Sequence, residues 1–448
     1  MRQMNDTLTG YRKSRIDFVM LFCMLALVLI GTLLVISSVT GLPHQERIVK
    51  VQLFGIPLSI AAFLAAWKFN YQIFQDQWKF LYGFLLVFLG GVLVFGVVDH
   101  GSRSWYRLPF FSIQPSEFAR LGIILVMANY LDRRIAHIKE LKTVLGAFAI
   151  CIPVFFLLMM QPDFSAIVAT FPIVILMLFM AGASIFHLAV ILGYGFISGI
   201  FPILWSLIAL NPELTDNAIV NYFYGLSESW ISALIFIAVV MFVILLVYRI
   251  VRKFYVGVPR LYFVVAAMVI ICGFFSGMLV QGKMKDYQQK RLEVFLSPES
   301  DPKGAGYNLL QARIAIGSGG LLGKGLHSGT QSRLGFIPER HTDFILSVAG
   351  EELGFFGMTL IAGLYAMLMR RITLAAKLSR DRYGYLVCCG IFAMFLVYFS
   401  VNFGMILGFA PVAGIPLPLI SYGGSNQLAT LLALGTAQSV YSRRNSFV

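Results

Sequence analysis

The chain has 448 residues, of which 58% are hydrophobic and only 12% are charged. Soluble globular domains carry about 25% charged residues, so this composition excludes a water-soluble fold. The mean hydropathy of +0.81 indicates instead a polytopic integral membrane protein that contacts membrane lipids. The net charge of +14 could indicate nucleic-acid binding, but no basic segment is interleaved with aromatic residues on a soluble face, so we expect no nucleic-acid partner.

Apolar runs long enough to cross the membrane follow one another along the chain. A helix needs about 20 residues to cross the hydrocarbon core. We therefore predict an all-α membrane protein with about twelve transmembrane helices. The predicted spans lie near residues 18–38, 50–67, 79–98, 116–131, 144–160, 164–183, 187–210, 229–248, 260–280, 353–369, 384–407 and 426–441.

The distribution of Lys and Arg predicts the sidedness of these spans, because short cytoplasmic loops collect positive charge. With the N-terminus in the cytoplasm, the cytoplasmic segments hold 21 Lys and Arg residues, against 5 in the short outer loops. The C-terminus then also lies in the cytoplasm. The same assignment places residues 281–352, between spans 9 and 10, on the outer side as a long periplasmic loop.

The long loop has a composition unlike the rest of the chain. Between positions 281 and 350 it holds 9 basic residues, 6 acidic residues and 11 glycines, which favours an anionic ligand. Asp301 lies between Pro298 and Pro302, so it sits in a rigid turn, either as a general base or simply as a turn former. The glycines at 317–325 allow backbone amides to approach a phosphate, with Lys324 as counter-charge, but no P-loop ending follows.

Ordered motifs along nearly the whole chain resemble those of the SEDS family of shape, elongation, division and sporulation proteins. The matching segments are 114–120 (QPSEFAR), 161–163 (QPD), 301–307 (DPKGAGY), 329–331 (GTQ), 338–344 (PERHTDF), 350–354 (GEELG), 414–418 (GIPLP) and 421–425 (SYGGS). Residues 314–320 together with 329–331 resemble the elongation (RodA) branch more than the division (FtsW) branch.

The resemblance implies a peptidoglycan glycosyltransferase in the bacterial inner membrane that polymerises lipid II during cell elongation. It also implies an Asp in the long loop as catalytic base, a position matched by Asp301, and a class B penicillin-binding protein as transpeptidase partner. We expect that partner to contact the spans at 353–369 and 384–407, near Phe395. The chemistry agrees with one carboxylate, because the acceptor hydroxyl must lose a proton while the pyrophosphate leaving group needs none.

Positive charge would neutralise the leaving pyrophosphate. The candidate cations are Arg103, Arg120, Lys303, Lys324 and Arg340, or a divalent cation such as Mg²⁺, and the sequence does not rank them. Glu117, His341 and Asp343 complete the predicted substrate-binding set, and purely structural roles for these residues remain equally open. Glu117 and Arg120 are one helical turn apart and could simply pair, His341 and Asp343 could close the loop, and Asp163 could be a helix N-cap.

The sequence departs from the family in two places. The family commonly has two adjacent basic residues before the tryptophan that precedes the Gln-Pro-Ser-Glu motif, whereas this chain reads Arg103-Ser104-Trp105. Family members usually have ten spans, and three apolar runs occupy residues 187–280 here, which predicts an extra helix pair within a single membrane domain covering residues 1–448. A pair preserves the sidedness of Asp301.

Three other functions remain open from the sequence. A lipid II flippase would suit the interrupted segment at 414–418. A division-type or sporulation-type polymerase would share the chemistry, and a scaffold for a cell-wall complex would tolerate loss of Asp301.

Overall fold

The computed structural model describes residues 16–42, 44–99, 102–107, 111–211, 230–254, 257–284, 286–301, 304–333 and 339–444, together with positions 213, 221 and 225. Lys303, one of the predicted substrate-binding residues, lies outside these described residues.

The described part of the chain is built almost entirely from helices. In chain order they are α1 (Phe18–Ser38), α2 (Gln45–Lys68), α3 (Gln72–Asp76), α4 (Trp78–Phe95), α5 (Pro115–Arg133), α6 (Leu141–Met160), α7 (Phe164–Met180), α8 (Ile185–Leu210), α9 (Trp230–Phe254), α10 (Arg260–Lys283), α11 (Asp286–Leu296), α12 (Ala305–Ser318), α13 (Thr330–Arg333), α14 (Ile345–Lys377), α15 (Arg382–Leu407) and α16 (Gly424–Ser442). Each predicted span falls on one of these helices.

Nine helices in the described ranges are long and apolar enough to cross a membrane. Helix α7 is apolar but has only 17 residues. Helices α5 and α16 are not among the nine, because the charges of α5 and the amide and hydroxyl side chains of α16 lower their hydropathy. The chain is thus a multi-pass helical protein, and the total of twelve spans stays a prediction.

The all-α prediction misses a small antiparallel sheet after α4. Its strands are β1 (Val97–Asp99), β2 (Ser102–Arg107) and β3 (Ser112–Ile113), in the order β1-β2-β3. Val98 lies opposite Arg103, and Tyr106 lies opposite Ile113. The sequence signal for these strands was weak, because it consisted only of the short alternating run Ser102–Arg107 after a glycine.

The segment predicted as a long loop is largely helical. It contains α11, a short 3₁₀ helix at Pro298–Ser300, α12 and α13, and α14 begins at Ile345 rather than at 353. Helix α11 has a low content of apolar residues, so it gave no membrane signal, and its polar residues were read as loop.

The chain divides into two compact units, Met1–Ala183 with Asn308–Val448 (the large unit) and Ser184–Tyr307 (the small unit). In the large unit, α15 is the most enclosed of the apolar helices, with 67% of its apolar window buried. Helix α16 runs beside α2 in the same direction, and Ser439 Oγ donates to the carbonyl of Phe69 at 2.7 Å. The small unit packs α8, α9 and α10 around an aromatic core of Trp205, Phe236 and Phe274.

A kink in α14 holds the glycine-rich segment in place. Gly354 has φ 65° and ψ −162°, which only glycine adopts readily. The amides of Phe355 and Phe356, released from the regular helix pattern, receive new acceptors, because they donate to the carbonyls of Gly320 at 2.9 Å and Leu321 at 3.1 Å. Because of the kink, two amides of α14 are free to hydrogen-bond the segment between α12 and α13 and hold it against the helix.

Replacement of Gly354 by alanine should destabilise the protein strongly. A Cβ at this position would overlap the backbone of Gly323 and Leu321, in addition to the strained φ. We expect a loss of about 2–4 kcal/mol, measured as thermal unfolding of the purified protein in detergent. Gly363→Ala is the matched control in the same helix, since a Cβ there meets nothing within 4 Å and should be neutral or stabilising. Equal effects of the two substitutions would contradict the assigned role of the kink.

Candidate functional site

Four of the quoted motifs meet in the large unit through side chains that lie between helix ends. The backbone amide of Gln114 donates to Ser425 Oγ at 3.0 Å, and Ser425 Oγ donates to the carbonyl of Ser112 at 2.6 Å. Gln114 Nε2 donates to Asp163 Oδ2 at 3.0 Å. Tyr422 belongs to the same 421–425 motif as Ser425, and its amide donates to the carbonyl of His341 at 2.8 Å. This bond joins the 338–344 motif to the other three. We call this set of contacts the motif cluster.

A buried ion pair lies at the start of α5 in the motif cluster. Pro115 occupies the first turn, where its missing N–H costs nothing, and Glu117 follows where the helix dipole favours an acid. Glu117 Oε2 lies 2.5 Å from Arg120 Nη1, with the two side chains 6% and 3% exposed. The guanidinium also lies over the ring of Tyr398, 4.9 Å from its centroid. The predicted pairing is confirmed, and a ligand role for the two residues stays a prediction.

Asp163 caps α7, as one of the two readings of its motif predicted. Its Oδ1 accepts from the amide of Ala166 at 3.2 Å and from Ser165 Oγ at 2.8 Å. Its other oxygen is the acceptor for Gln114, so one carboxylate fixes a helix start and joins two motifs.

Arg340 is buried and turned toward the end of α1. Its Nε donates to the carbonyl of Ser38, and its Nη2 donates to the carbonyl of Thr40 at 3.3 Å. A cation is favourable at this end of a helix, where the last carbonyls have no partner within the helix. Burial lowers the pKa of Arg340 from its ordinary value. The guanidinium donors of Arg340, which the sequence assigned to a substrate phosphate, therefore bind backbone carbonyls at the end of α1.

His341 and Asp343 lie in the turn that precedes α14. The His341 ring is tilted against Tyr422 at 5.4 Å between centroids, and its buried Nδ1 has no hydrogen-bond partner among the described residues. Burial lowers the pKa of His341, Glu339 opposes this and Arg340 adds to it. The lowered pKa means that the neutral His341 ring stabilises the fold. This contribution is fully present above the pKa of histidine in the unfolded chain, about 6.5, and is lost as the pH falls through the lower pKa of His341 in the folded protein. Asp343 is partly exposed and has interaction partners within the fold.

Lys324 is engaged by a buried acid rather than left open to a ligand. Its Nζ lies 2.9 Å from Glu351 Oε1 and donates to Thr330 Oγ1 at 2.8 Å. The amides of Lys324 and Gly325 donate to the carbonyls of Glu351 and Glu352, each at 3.0 Å. The glycine-rich segment therefore directs these amides at α14, which is contrary to the phosphate cradle considered from its composition.

The two acids of the 350–354 motif, Glu351 and Glu352, join the candidate site, although the sequence assigns no role to them. Glu351 is fully buried and accepts from Thr330 Oγ1 at 3.0 Å and from the Gln331 amide at 2.9 Å. Glu352 Oε1 accepts from Ser37 Oγ at 2.6 Å, and its other oxygen has no partner within the described ranges. The signal was available, because adjacent acids at the start of an apolar helix are costly unless they have a specific role.

Arg103 lies on β2 and is exposed, and its Nη1 donates to the carbonyl of Leu93 in the last turn of α4 at 3.0 Å. This contact anchors the sheet to the helix that precedes it. It leaves Arg103 the most exposed of the predicted cations in the described part of the large unit.

Asp301 belongs to the small unit and follows the 3₁₀ helix at Pro298–Ser300, as the predicted rigid turn requires. Its carbonyl accepts from the amide of Tyr307 at 3.1 Å, which fixes the carboxylate at the first turn of α12. A Cβ at Gly304 would overlap the Asp301 carboxylate, so a larger residue there would displace this side chain. The side chain is 13% exposed, and Oδ2 lies 3.4 Å from Lys290 Nζ. Lys290, on α11, was missed because α11 was read as loop.

Within the described ranges, no group of three or more His, Cys, Asp or Glu side chains is placed to hold a metal ion.

Removal of one partner of the Glu117–Arg120 pair should be far more costly than removal of both. Glu117→Gln leaves a buried guanidinium without its counter-charge, for an expected loss of about 3–5 kcal/mol in thermal unfolding. The double variant Glu117→Gln/Arg120→Met should regain most of this. Glu46→Gln is the control, because the Glu46–Lys50 pair is 86% and 77% exposed and its loss should be close to neutral. Additive effects at positions 117 and 120 would contradict the coupling.

Comparison with known proteins assigns the chain to a family. The sequence model of the FtsW/RodA/SpoVE family, described as "Cell cycle protein", matches residues 13–213 and 218–446. The peptidoglycan glycosyltransferase RodA of Treponema pallidum is 31% identical over 443 residues, covering 96% of this chain and 98% of that protein. The peptidoglycan glycosyltransferase MrdB of Escherichia coli K12 is 31% identical over 438 residues, covering 97% and 96%. A probable peptidoglycan glycosyltransferase FtsW of Trichlorobacter lovleyi is 29% identical over 434 residues, covering 95% and 93%.

Solved structures share the fold. A chain from a peptidoglycan synthase complex described as coordinating polymerization and crosslinking superposes with a TM-score of 0.66 at 24% identity, covering 96% of this chain and 99% of that one. The rod shape determining protein RodA of Thermus thermophilus superposes with a TM-score of 0.59 at 23% identity, covering 98% and 100%. The family model matches nearly the whole chain, and full-length relatives are 31% identical to it, which shows that this chain belongs to the FtsW/RodA/SpoVE (SEDS) family.

Proposed function

We propose that the chain is a peptidoglycan glycosyltransferase that polymerises lipid II, with Asp301 as general base. The observation that carries the proposal is the full-length family match to relatives named peptidoglycan glycosyltransferases. The RodA and MrdB relatives at 31% identity favour the elongation branch over the division branch at 29%. The reaction class is a single displacement, which inverts the anomeric centre.

Asp301 meets the requirements for a base in this reaction. The acceptor hydroxyl must lose its proton as its oxygen attacks the anomeric carbon of the donor, and a carboxylate held in a fixed turn can accept that proton. Its 13% exposure keeps it accessible, and Lys290 and the backbone bond from Tyr307 restrict its orientation. The C–O bond to the lipid pyrophosphate breaks with its electron pair on a group that is stable as an anion, so no second carboxylate is needed as acid.

Arg103, Arg120, Lys303, Lys324, Arg340, Glu117, His341 and Asp343 remain the proposed substrate-binding set. Their contacts favour different roles. Arg103 is exposed and available to a phosphate, whereas Lys324 and Arg340 are engaged within the fold. Substrate would have to displace those internal contacts to reach them, so we propose that they shape the site.

The proposed partner is a class B penicillin-binding protein, and its contact surface needs exposed apolar side chains. The expected position at Phe395 is wrong, because that side chain is fully buried. On the neighbouring predicted span, Phe355 and Phe356 are 62% and 59% exposed. We therefore place the contact on the exposed face of α14.

The twelve-span topology predicts that Ser318 and Lys253 lie on opposite sides of the membrane, with both chain termini in the cytoplasm of a bacterial inner membrane. Single cysteines at the two positions, in a background where the five native cysteines are replaced, should react from opposite sides with an impermeant thiol reagent. Cysteine at Lys377, a second predicted cytoplasmic site, is the control. Labelling of positions 318 and 253 from one side would contradict the topology.

Asp301→Asn should abolish polymerisation while leaving the fold intact. The amide keeps the size of the side chain but cannot accept the proton, and loss of a general base typically costs about 10²–10⁴ in rate. The measurement is glycan formation from labelled lipid II by the purified full-length chain, with and without the transpeptidase, alongside thermal unfolding.

Glu299→Gln is the matched control in the same turn and should retain most activity. A folded Asp301→Asn protein that polymerises lipid II at the wild-type rate would show that Asp301 is not the base and would favour a flippase or scaffold role. Asp343 would then be the next carboxylate to test.

A further inference from the structure

Four cations lie together at one end of the α9–α10 helix hairpin, and neither the proposed reaction nor the family motifs use them. They line a shallow, open surface depression of about 600 Å³. Its lining residues are Leu245, Tyr248, Arg249, Arg252, Lys253 and Arg260. We call this depression the basic pocket, and it lies entirely within the small unit.

Two guanidinium groups from different helices converge on one neutral oxygen in the basic pocket. Arg252 Nη1 donates to Tyr248 Oη at 3.0 Å, and Arg260 Nε donates to the same oxygen at 2.8 Å. A phenol oxygen orients both groups but does not neutralise them, so the two positive charges repel each other. An anion bound between them would remove this repulsion.

The hairpin carries no acid that could serve as the counter-charge. Its sequence contains no Asp or Glu between Glu228 and Asp286. The next acid after the hairpin, Asp286, follows the far end of α10. Helix α10 has 24 residues, so roughly 35 Å of helix lies between Arg260 and that end.

The positions of the cations form one surface rather than a scattered charge run. Tyr248, Arg249, Arg252 and Lys253 recur at the spacing that places side chains on one face of a helix. Arg260 is the first residue of α10, after the N-cap Pro259, where unpaired backbone amides and the helix dipole add positive potential.

Exposed apolar side chains beside the basic pocket favour a lipid over a soluble anion as its ligand. Leu245, Leu246 and Leu261 are 51%, 48% and 62% exposed, and Tyr262 is 45% exposed. These side chains adjoin the cations in sequence on both helices, so a phosphate held by the guanidinium groups would have acyl-chain contacts next to it. Basic pockets between transmembrane helices on the cytoplasmic side suit anionic headgroups, and the charge bias along the sequence predicts that this end lies in the cytoplasm.

We propose that the basic pocket binds the phosphate headgroup of an anionic phospholipid. Arg252 and Arg260 contact the phosphate oxygens, Tyr248 holds the two guanidinium groups in position, and Arg249 and Lys253 supply further positive potential at the rim. The acyl chains lie against the exposed leucines of α9 and α10. This binding site is independent of Asp301 and of the polymerase reaction.

Native mass spectrometry of the delipidated full-length protein tests the proposal, with phosphatidylglycerol and acyl-matched phosphatidylcholine as probes. The wild-type chain should bind phosphatidylglycerol more tightly than phosphatidylcholine. Arg252→Gln/Arg260→Gln should lose roughly 30-fold in phosphatidylglycerol affinity, as expected for two cations near a membrane surface, and should lose the preference. Lys139→Gln/Lys142→Gln removes the same charge from another predicted cytoplasmic segment and should behave as wild type.

Arg252→Lys/Arg260→Lys keeps the charge and should keep most of the preference, which separates anion binding from a folding defect. An unchanged preference in Arg252→Gln/Arg260→Gln would overturn the proposal, as would an equal loss in Lys139→Gln/Lys142→Gln, because the attraction would then be a property of the whole surface. Inorganic phosphate added at millimolar concentration should not displace phosphatidylglycerol. Displacement by inorganic phosphate would overturn the assignment to a lipid and indicate a site for a soluble anion.

Discussion

Polar groups inside an apolar helix bundle must find their partners within the chain, because hydrocarbon offers none. Many buried polar groups of the large unit meet this requirement, although both side-chain amide atoms of Gln427 and of Gln438 have no hydrogen-bond partner among the described residues. Gln161 Nε2 donates to the carbonyl of Leu89 at 2.8 Å, and Asn402 Nδ2 donates to the carbonyl of Ile415 at 2.8 Å. Tyr365 donates its hydroxyl to the carbonyl of Pro418. Each bond ties a helix end or an irregular segment to a neighbouring helix, so the buried polar residues determine where the non-helical parts of the chain lie.

The same need for internal partners explains why residues of several family motifs hydrogen-bond to one another. Gln114, Asp163 and Ser425 come from three distant motifs and form one network, while Glu351 gathers Lys324, Thr330 and Gln331 around a single buried carboxylate. A network of this kind is rigid, because the loss of one member leaves the others unpaired in a low-dielectric interior. Such rigidity suits a proposed polymerase that must hold two long lipid-linked sugars in a reactive orientation.

The sequence predicted the helices well, because each span has a long apolar run whose signal does not depend on distant contacts. The Glu117–Arg120 pair and the Asp163 cap were each one of two readings left open by the sequence, and both were accessible because local helix geometry sets them. The prediction failed where the partner is remote in the chain. Nothing near Arg340 indicates that its donors reach α1, and nothing near Lys324 indicates Glu351. The short strands and the polar helix α11 were missed because neither has the apolar periodicity on which the prediction relied.

We propose that Asp301 takes part in proton transfer and not in holding the substrate. The most direct measurement is the separation of kcat from KM for lipid II polymerisation by the purified full-length Asp301→Asn protein. A residue that acts only in the transition state lowers kcat and kcat/KM together. We therefore expect kcat to fall by about 10²–10⁴ while KM changes little. An increased KM with kcat unchanged would contradict it and would make Asp301 a binding residue.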